Sequence, residues 1–183
     1  MFSEIKACYK NDPAARGLEP LLYPGLSAII WHRYFIHPLY RLRLRFLARL
    51  FSQLQRFFTG IEIHPGASIG PGLFIDHGMG TVIGETVEIG RDCVLFHNVT
   101  LGGTGHITGK RHPSLGDNVL VGANATILGP CRIGNGTKIG AETVIVNKDV
   151  PANATVVGAP GHIVRLDGER VDIALEPSHM LHR

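Results

Sequence analysis

Val121–Val146 reads VGANATILGPCRIGNGTKIGAETVIV, and its aliphatic residues Val121, Ile127, Ile133, Ile139 and Ile145 fall on every sixth position. A period of six is neither the 3.6 of a helix nor the simple alternation of a half-buried strand, so it points to internal repetition. Traced outward, the same register runs back through Leu115, Leu101, Leu95, Ile89 and Ile83 to Ile75, Ile69 and Ile63, and forward past Pro151 to Val157. Glycine directly follows the aliphatic residue at Gly70, Gly84, Gly90, Gly102, Gly116, Gly122, Gly134, Gly140 and Gly158. The count breaks twice, with two extra residues between Ile75 and Ile83 and eight between Leu101 and Leu115.

This repeat accounts for the composition. The chain carries 23 glycines in 183 residues, nearly twice the usual share of about 7%. Its hydrophobic content of 44% is enough for a core and excludes a disordered chain, and the absence of a Gly-X-Y period excludes collagen. The length suits one domain with a small appendage. A formal charge of +3 alongside ten histidines makes no demand for nucleic acid. Cys8, Cys93 and Cys131 are odd in number and far apart, as free thiols of a reducing compartment would be. Glu4, Lys6, Lys10 and Asp12 leave no apolar signal segment at the start, so the expected location is the cytoplasm, with no membrane span. The N-x-T triplets at Asn98, Asn124, Asn135 and Asn153 then read as turns rather than glycosylation sites.

Ahead of the repeat, Leu21 to Phe58 is patterned as helix. Leu39, Leu42, Phe46, Leu50, Leu54 and Phe58 recur at spacings of three and four, widened by Leu47 and Phe51, with Arg45, Arg49 and Arg56 largely off the stripe. Pro38 and Gly60 bracket it as a start and a glycine C-cap. The stripe predicts a helix packing its apolar side onto the domain; a basic amphipathic helix on a membrane is the other reading.

In a solenoid the aliphatic residue of each hexad points to the axis and backbone pairing passes to the next coil. Three hexads per coil stack residues into columns at about 4.8 Å. One such column holds His77, His97 and Ala123, and the column before it Asp76, Phe96 and Gly122. Two stacked histidines admit a catalytic base with a neighbour, part of a zinc site, or surface polarity. The breaks add weight to a site, because one contains FIDHGMG (residues 74–80) and the other GGTGHITGKRHPS (residues 102–114) with Arg111 and His112.

Hexads this regular resemble those of the hexapeptide-repeat acyltransferases. That resemblance implies a mainly β fold, a left-handed parallel β-helix of about five coils, preceded by a short α-helical segment. The implied divisions are a helical segment over 1–60, a β-helix over 61–165 with a protruding loop at 102–114, and a C-terminal tail over 166–183. NDPAA (11–15), PLLY (20–23), IHPGASIG (63–70), IDHGMGTVIGET (75–86), NVTLGGTG (98–105), KRHP (110–113), GANATILG (122–129) and VVGAPGHIV (156–164) resemble more narrowly the serine O-acetyltransferases.

Carried over by position, the resemblance makes His77 the general base and Glu62 the carboxylate that orients it, where many relatives carry Asp. It gives Asp12 and Asp76 the ammonium of the acceptor, Arg111 its carboxylate, and His112 a contact beside it. Gly103, Ala123 and Lys138 fall along the coenzyme A groove. It implies acetyl-CoA as co-substrate, no metal, and a homotrimer with sites shared between neighbours, hexamers being less expected of so short a helical region. The tail ends His-Met-Leu-His-Arg and lacks the terminal Ile by which longer members dock O-acetylserine sulfhydrylase, which puts that partner in doubt.

The residue types suit such chemistry. A serine hydroxyl becomes a nucleophile when its proton is taken during attack, a task that suits a neutral imidazole. A carboxylate can fix the imidazole's tautomer, and backbone N–H groups of Gly102 and Gly103 could face a developing oxyanion. Cys93 and Cys131 lie outside the motif stretches and read as structural, which favours direct transfer over an acyl-enzyme. Taken alone, Asp12 reads as a helix-start residue, His64 as a cap or surface residue and Lys138 as merely exposed. The alternatives are transfer to another hydroxyl or amine such as a sugar, a γ-type zinc carbonic anhydrase-like protein using His77 and His97, and a non-catalytic or membrane-associated trimer.

Overall fold

The computed structural model describes residues 2–105 and 108–178. Hexads become a triangular prism because each contributes one short strand followed by a corner. The strands are β1 (Glu62–Ile63), β2 (Ser68–Ile69), β3 (Phe74–Ile75), β4 (Val82–Ile83), β5 (Glu88–Ile89) and β6 (Val94–Leu95). They continue as β7 (Thr100–Gly102), β8 (Ser114–Leu115), β9 (Leu120–Val121), β10 (Thr126–Leu128), β11 (Arg132–Ile133) and β12 (Lys138–Ile139). The last are β13 (Val144–Val146), β14 (Ala154–Val157), β15 (His162–Leu166) and β16 (Glu169–Ala174). Every third strand joins one parallel sheet: β1-β4-β7-β10-β13 forms the first face, β2-β5-β8-β11 the second and β3-β6-β9-β12-β14 the third. The third face ends in an antiparallel hairpin, β14-β15-β16, which runs across the expected boundary at residue 165.

The inward column is the one counted from the sequence: Ile63, Ile75, Ile83, Ile89, Leu95, Leu101, Leu115, Val121, Ile127, Ile133, Ile139 and Ile145 are all buried. Two residues earlier in each hexad a smaller residue fills the corner, among them Val87, Cys93, Val99, Val119, Ala125, Cys131 and Thr137. This explains Cys93 and Cys131: burial pushes their thiols up to about 11 and about 12, so they stay protonated and serve as packing. The register fails at its end. Val156, not Val157, is buried and pairs with Ile139, because the last coil is one residue short, Ile133 bridging to Val150. Asn98, Asn124 and Asn153 sit at corners with φ of 55°, 61° and 58°, the left-handed turn conformation that asparagine tolerates.

The helical segment comprises α1 (Phe2–Asn11), a 3₁₀ turn (Glu19–Leu22), α2 (Pro24–Trp31), a π-turn (His32–Ile36), α3 (His37–Arg41) and α4 (Arg45–Thr59). The single stripe expected from Leu39 onward is broken at Arg43, whose φ is +62°. As expected, Gly60 caps α4, with φ +71° and its N–H bonded to the Arg56 carbonyl.

The packing of α4 overturns the expectation from its stripe. Its buried residues are Ala48, Ser52, Gln55 and Thr59, while Phe46, Leu50, Leu54 and Phe58 face outward. The cause is the surface it meets. The strands of the first coil form the open edge of the prism, and their outer carbonyls have no strand to pair with. Side chains supply the donors instead: Ser52 Oγ to the Ile63 carbonyl at 3.0 Å and Gln55 Nε2 to that of Ile61 at 3.1 Å. His32 Nε2 reaches the Ala67 carbonyl at 3.0 Å and Arg33 that of Gly70 at 2.7 Å. Polar residues therefore face the prism. Phe51 of α4 lines, with Trp31, Tyr34, Phe35, Pro38, Leu39 and Leu42, a groove of about 520 Å³. No helix among the described residues is long and apolar enough to cross a membrane.

Candidate active site

The predicted residues gather on two different edges of the prism. On the edge between the third and first faces, the two-residue break after β3 forces a turn in which His77 takes φ +59°. Its exposed imidazole lies 3.7 Å from the Asp76 carboxylate and edge-to-face with His97, ring centres 6.1 Å apart. The column counted from the hexads is thus present, and Ala123 continues it, since β6 pairs with β9. Asp12 comes to the same edge from the end of α1. It follows a helix rather than starting one, and its Oδ1 accepts the Ala14 N–H at 2.8 Å. Tyr23, at the start of α2, donates its hydroxyl to Asp12 Oδ2. That bond holds the Asp12 carboxyl below the usual carboxylate range and pushes the Tyr23 phenol up to about 12. Asp12, Tyr23, Pro24, Ile75, Asp76 and His77 line a cavity of about 170 Å³, a size suited to a small amino acid.

The second cluster lies on the edge between the first and second faces, where the long break before β8 carries Arg111 and His112. Thr86 fixes both: its Oγ1 accepts the N–H groups of Arg111 at 3.1 Å and His112 at 3.2 Å. His112 Nδ1 lies 2.8 Å from the Thr86 hydroxyl and accepts the Thr86 N–H at 3.3 Å. Because an amide only donates, Nδ1 carries no proton and the neutral ring presents an Nε2–H. Burial, aided by Arg111, lowers the His112 pKa to about 4. The Arg111 guanidinium is hydrogen-bonded to the Glu85 carboxylate, whose other oxygen accepts the Tyr40 hydroxyl at 2.8 Å. Gly103 closes this cluster, since a Cβ there would stand 3.2 Å from the Arg111 carbonyl.

The structure does not bring Glu62 to His77 within one chain. Glu62 lies on the first face, between the two edges, and its carboxylate is held by Arg56 at 3.0 Å and Arg49 at 3.8 Å, both from α4. Lys138 is exposed on β12 of the third face, apart from Gly103. His64 Nδ1 accepts the Gly66 N–H at 3.1 Å, the capping role read for it. Among the described residues no three His, Cys, Asp or Glu side chains gather as a metal-binding group around His77 and His97. The terminal residues bearing on the sulfhydrylase partner, 179–183, lie outside the described residues.

Tyr23, Tyr40, Glu85 and Thr86 were not singled out by the sequence reading. A signal existed for two of them: β5 pairs with β8 through Glu88 and Ser114, so counting back along both strands sets Thr86 under His112 and Glu85 under Arg111.

Comparison with known proteins agrees with this geometry. The family described as bacterial transferase hexapeptide (six repeats) matches residues 112–147. The serine acetyltransferase of Synechococcus elongatus is 52% identical over 172 residues, 93% of this chain and 70% of that protein. That of Staphylococcus aureus is 50% identical over 182 residues, 98% of this chain and 84% of that one. A crystal structure of the Neisseria gonorrhoeae serine acetyltransferase in complex with serine superposes with a TM-score of 0.83 at 44% identity, covering 87% of this chain. The chain spans just under two thirds (66%) of that solved chain. The prism is accordingly the left-handed β-helix of hexapeptide proteins, and half-identity over nearly its whole length makes this chain a member of the serine acetyltransferase family.

Proposed function

We propose that the chain transfers the acetyl group of acetyl-CoA to the hydroxyl of L-serine, giving O-acetyl-L-serine and coenzyme A. The observation that carries this reading is the pairing of a carboxylate-lined cavity beside His77 with a guanidinium and a neutral imidazole on another edge. Together these are complementary to a zwitterion bearing a hydroxyl. Asp12 and Asp76 receive the ammonium, and Arg111, with His112 beside it, the carboxylate. His77 takes the hydroxyl proton as the serine oxygen bonds to the thioester carbon. The C–S bond then breaks, and the proton passes from the imidazolium to the departing thiolate. Cys93 and Cys131, buried and protonated, support direct transfer rather than an acyl-enzyme.

Because the two clusters stand on separate edges with the first face between them, the complete site needs two copies of the chain. This supports a homotrimer in which the His77 edge of one protomer meets the Arg111 edge of the next. Ala123 and Lys138 on one side and Gly103 on the other flank the coenzyme A groove, with the Gly102–Gly103 backbone offering donors to the oxyanion. We place the reaction in the cytoplasm, where three free thiols remain reduced. A coenzyme A release assay with acetyl-CoA and L-serine, homoserine or sugars tests the reading. Serine is expected to be the preferred acceptor, and a serine rate no higher than that with sugars would refute it.

A further inference from the structure

The Arg111 guanidinium does not stand alone. Glu85 holds it through one carboxylate oxygen, and the other oxygen of Glu85 accepts the hydroxyl of Tyr40, a residue of α3 and not of the prism. Tyr40 is itself fixed between rings and charges, with the His64 ring edge-on at 6.0 Å and the Arg45 guanidinium 5.9 Å from its own ring centre. The Arg111 Nη2 is the atom committed to Glu85, while Nη1 makes only a long 3.4 Å bond to the Gly109 carbonyl. A guanidinium has five N–H donors in a planar fork. Held by Nη2, it keeps donors for a second, incoming carboxylate.

We propose that Glu85, fixed by Tyr40, is the positioning residue for Arg111, and that the helical segment thereby sets the affinity for the carboxylate of the acceptor. This rests on the reading of the chain as a serine acetyltransferase. The long arginine side chain is ordered before substrate arrives, so ordering it is not charged against binding. The effect belongs to the acceptor's carboxylate and not to its hydroxyl. It therefore appears in KM for serine, while the proton transfer at His77 is left alone.

The test uses the full chain with E85Q, Y40F and the double variant, assayed by coenzyme A release with L-serine and with L-serinamide, which lacks the carboxylate. E85Q is expected to raise the KM for L-serine about tenfold with kcat within about twofold, and to shrink the preference for serine over serinamide by a similar factor. Y40F is expected to raise that KM about threefold, and the double variant to be no worse than E85Q, because Tyr40 acts through Glu85. An E85Q enzyme whose serine KM is unmoved, equal losses with both acceptors, or additive effects of the two substitutions would each overturn the proposal. A wild-type chain releasing no coenzyme A with serine would instead overturn the acetyltransferase reading on which it rests.

Discussion

A methyl group placed on Gly84 would stand 2.1 Å from Cδ2 and 2.3 Å from Nε2 of His112. One hydrogen atom at residue 84 therefore decides where the buried His112 imidazole can lie. Gly84→Ala is expected to push the His112 ring from its place and lower serine-dependent turnover at least about tenfold, since a small misplacement at a site is costly. The circular dichroism of the prism should persist. A variant of full activity would remove His112 from the acceptor site. His32 illustrates a buried imidazole with no catalytic part. Burial lowers its pKa from the usual 6.5 to about 4, and its Nε2 is spent on the Ala67 carbonyl. The unfolded chain thus binds a proton between those values that the folded chain refuses, so stability is complete above about 6.5 and falls as the pH drops toward 4. The loss reaches about 3 kcal/mol at most for this group. Denaturant unfolding from pH 7 to 4 should show that slope, and a His32→Gln variant with the same slope would refute the assignment.

At the scale of elements, the hexads were legible because their register is local: one inward residue in six, repeated, predicts both the core and the His77–His97 column. Helix α4 was legible as a helix but not in its orientation. An apolar stripe predicts burial only where the facing surface is apolar, and here the facing surface is a row of edge carbonyls that wants donors from Ser52 and Gln55. Substitutions separate the two orientations. Phe46→Gln, at a side chain 80% exposed, is expected to shift stability by no more than about 0.5 kcal/mol. Ala48→Leu, at a position with no exposure, should cost about 1–3 kcal/mol by overpacking. Thermal or urea unfolding gives both values, and the reverse order would return the stripe to the interior. The short last coil escaped the reading for a different reason: a single missing residue changes which valine points inward without disturbing the composition of the segment.

For the whole molecule the question is how two edges become one site. Their separation was present in the hexad phase, since His77 follows a third-face strand and Arg111 precedes a second-face strand, yet similarity of motif alone treats them as neighbours. If the site lies between protomers, inactive chains can repair each other. His77→Ala and Arg111→Ala, each expected to be inactive alone, should regain about a quarter of wild-type activity when equal amounts are co-assembled at random, because a mixed trimer then holds one intact pair of edges. No recovery on mixing from a common refolding step would place the site within one chain.

The donors that the π-turn and α4 turn toward the first coil have a consequence beyond packing. A prism of constant cross-section is a stack of hydrogen-bonded rungs, and an uncovered rung is a template on which another chain's rung can seat, the geometry by which cross-β fibres grow. With the Ile61, Ile63, Ala67 and Gly70 carbonyls already occupied by side chains, and the third face at the far end turned into an antiparallel hairpin, the repeat is kept from propagating between molecules. The polar inner face of the helical segment is in this sense a stopper against filament growth, written in serine, glutamine, histidine and arginine where a hydrophobic count would have looked for leucine.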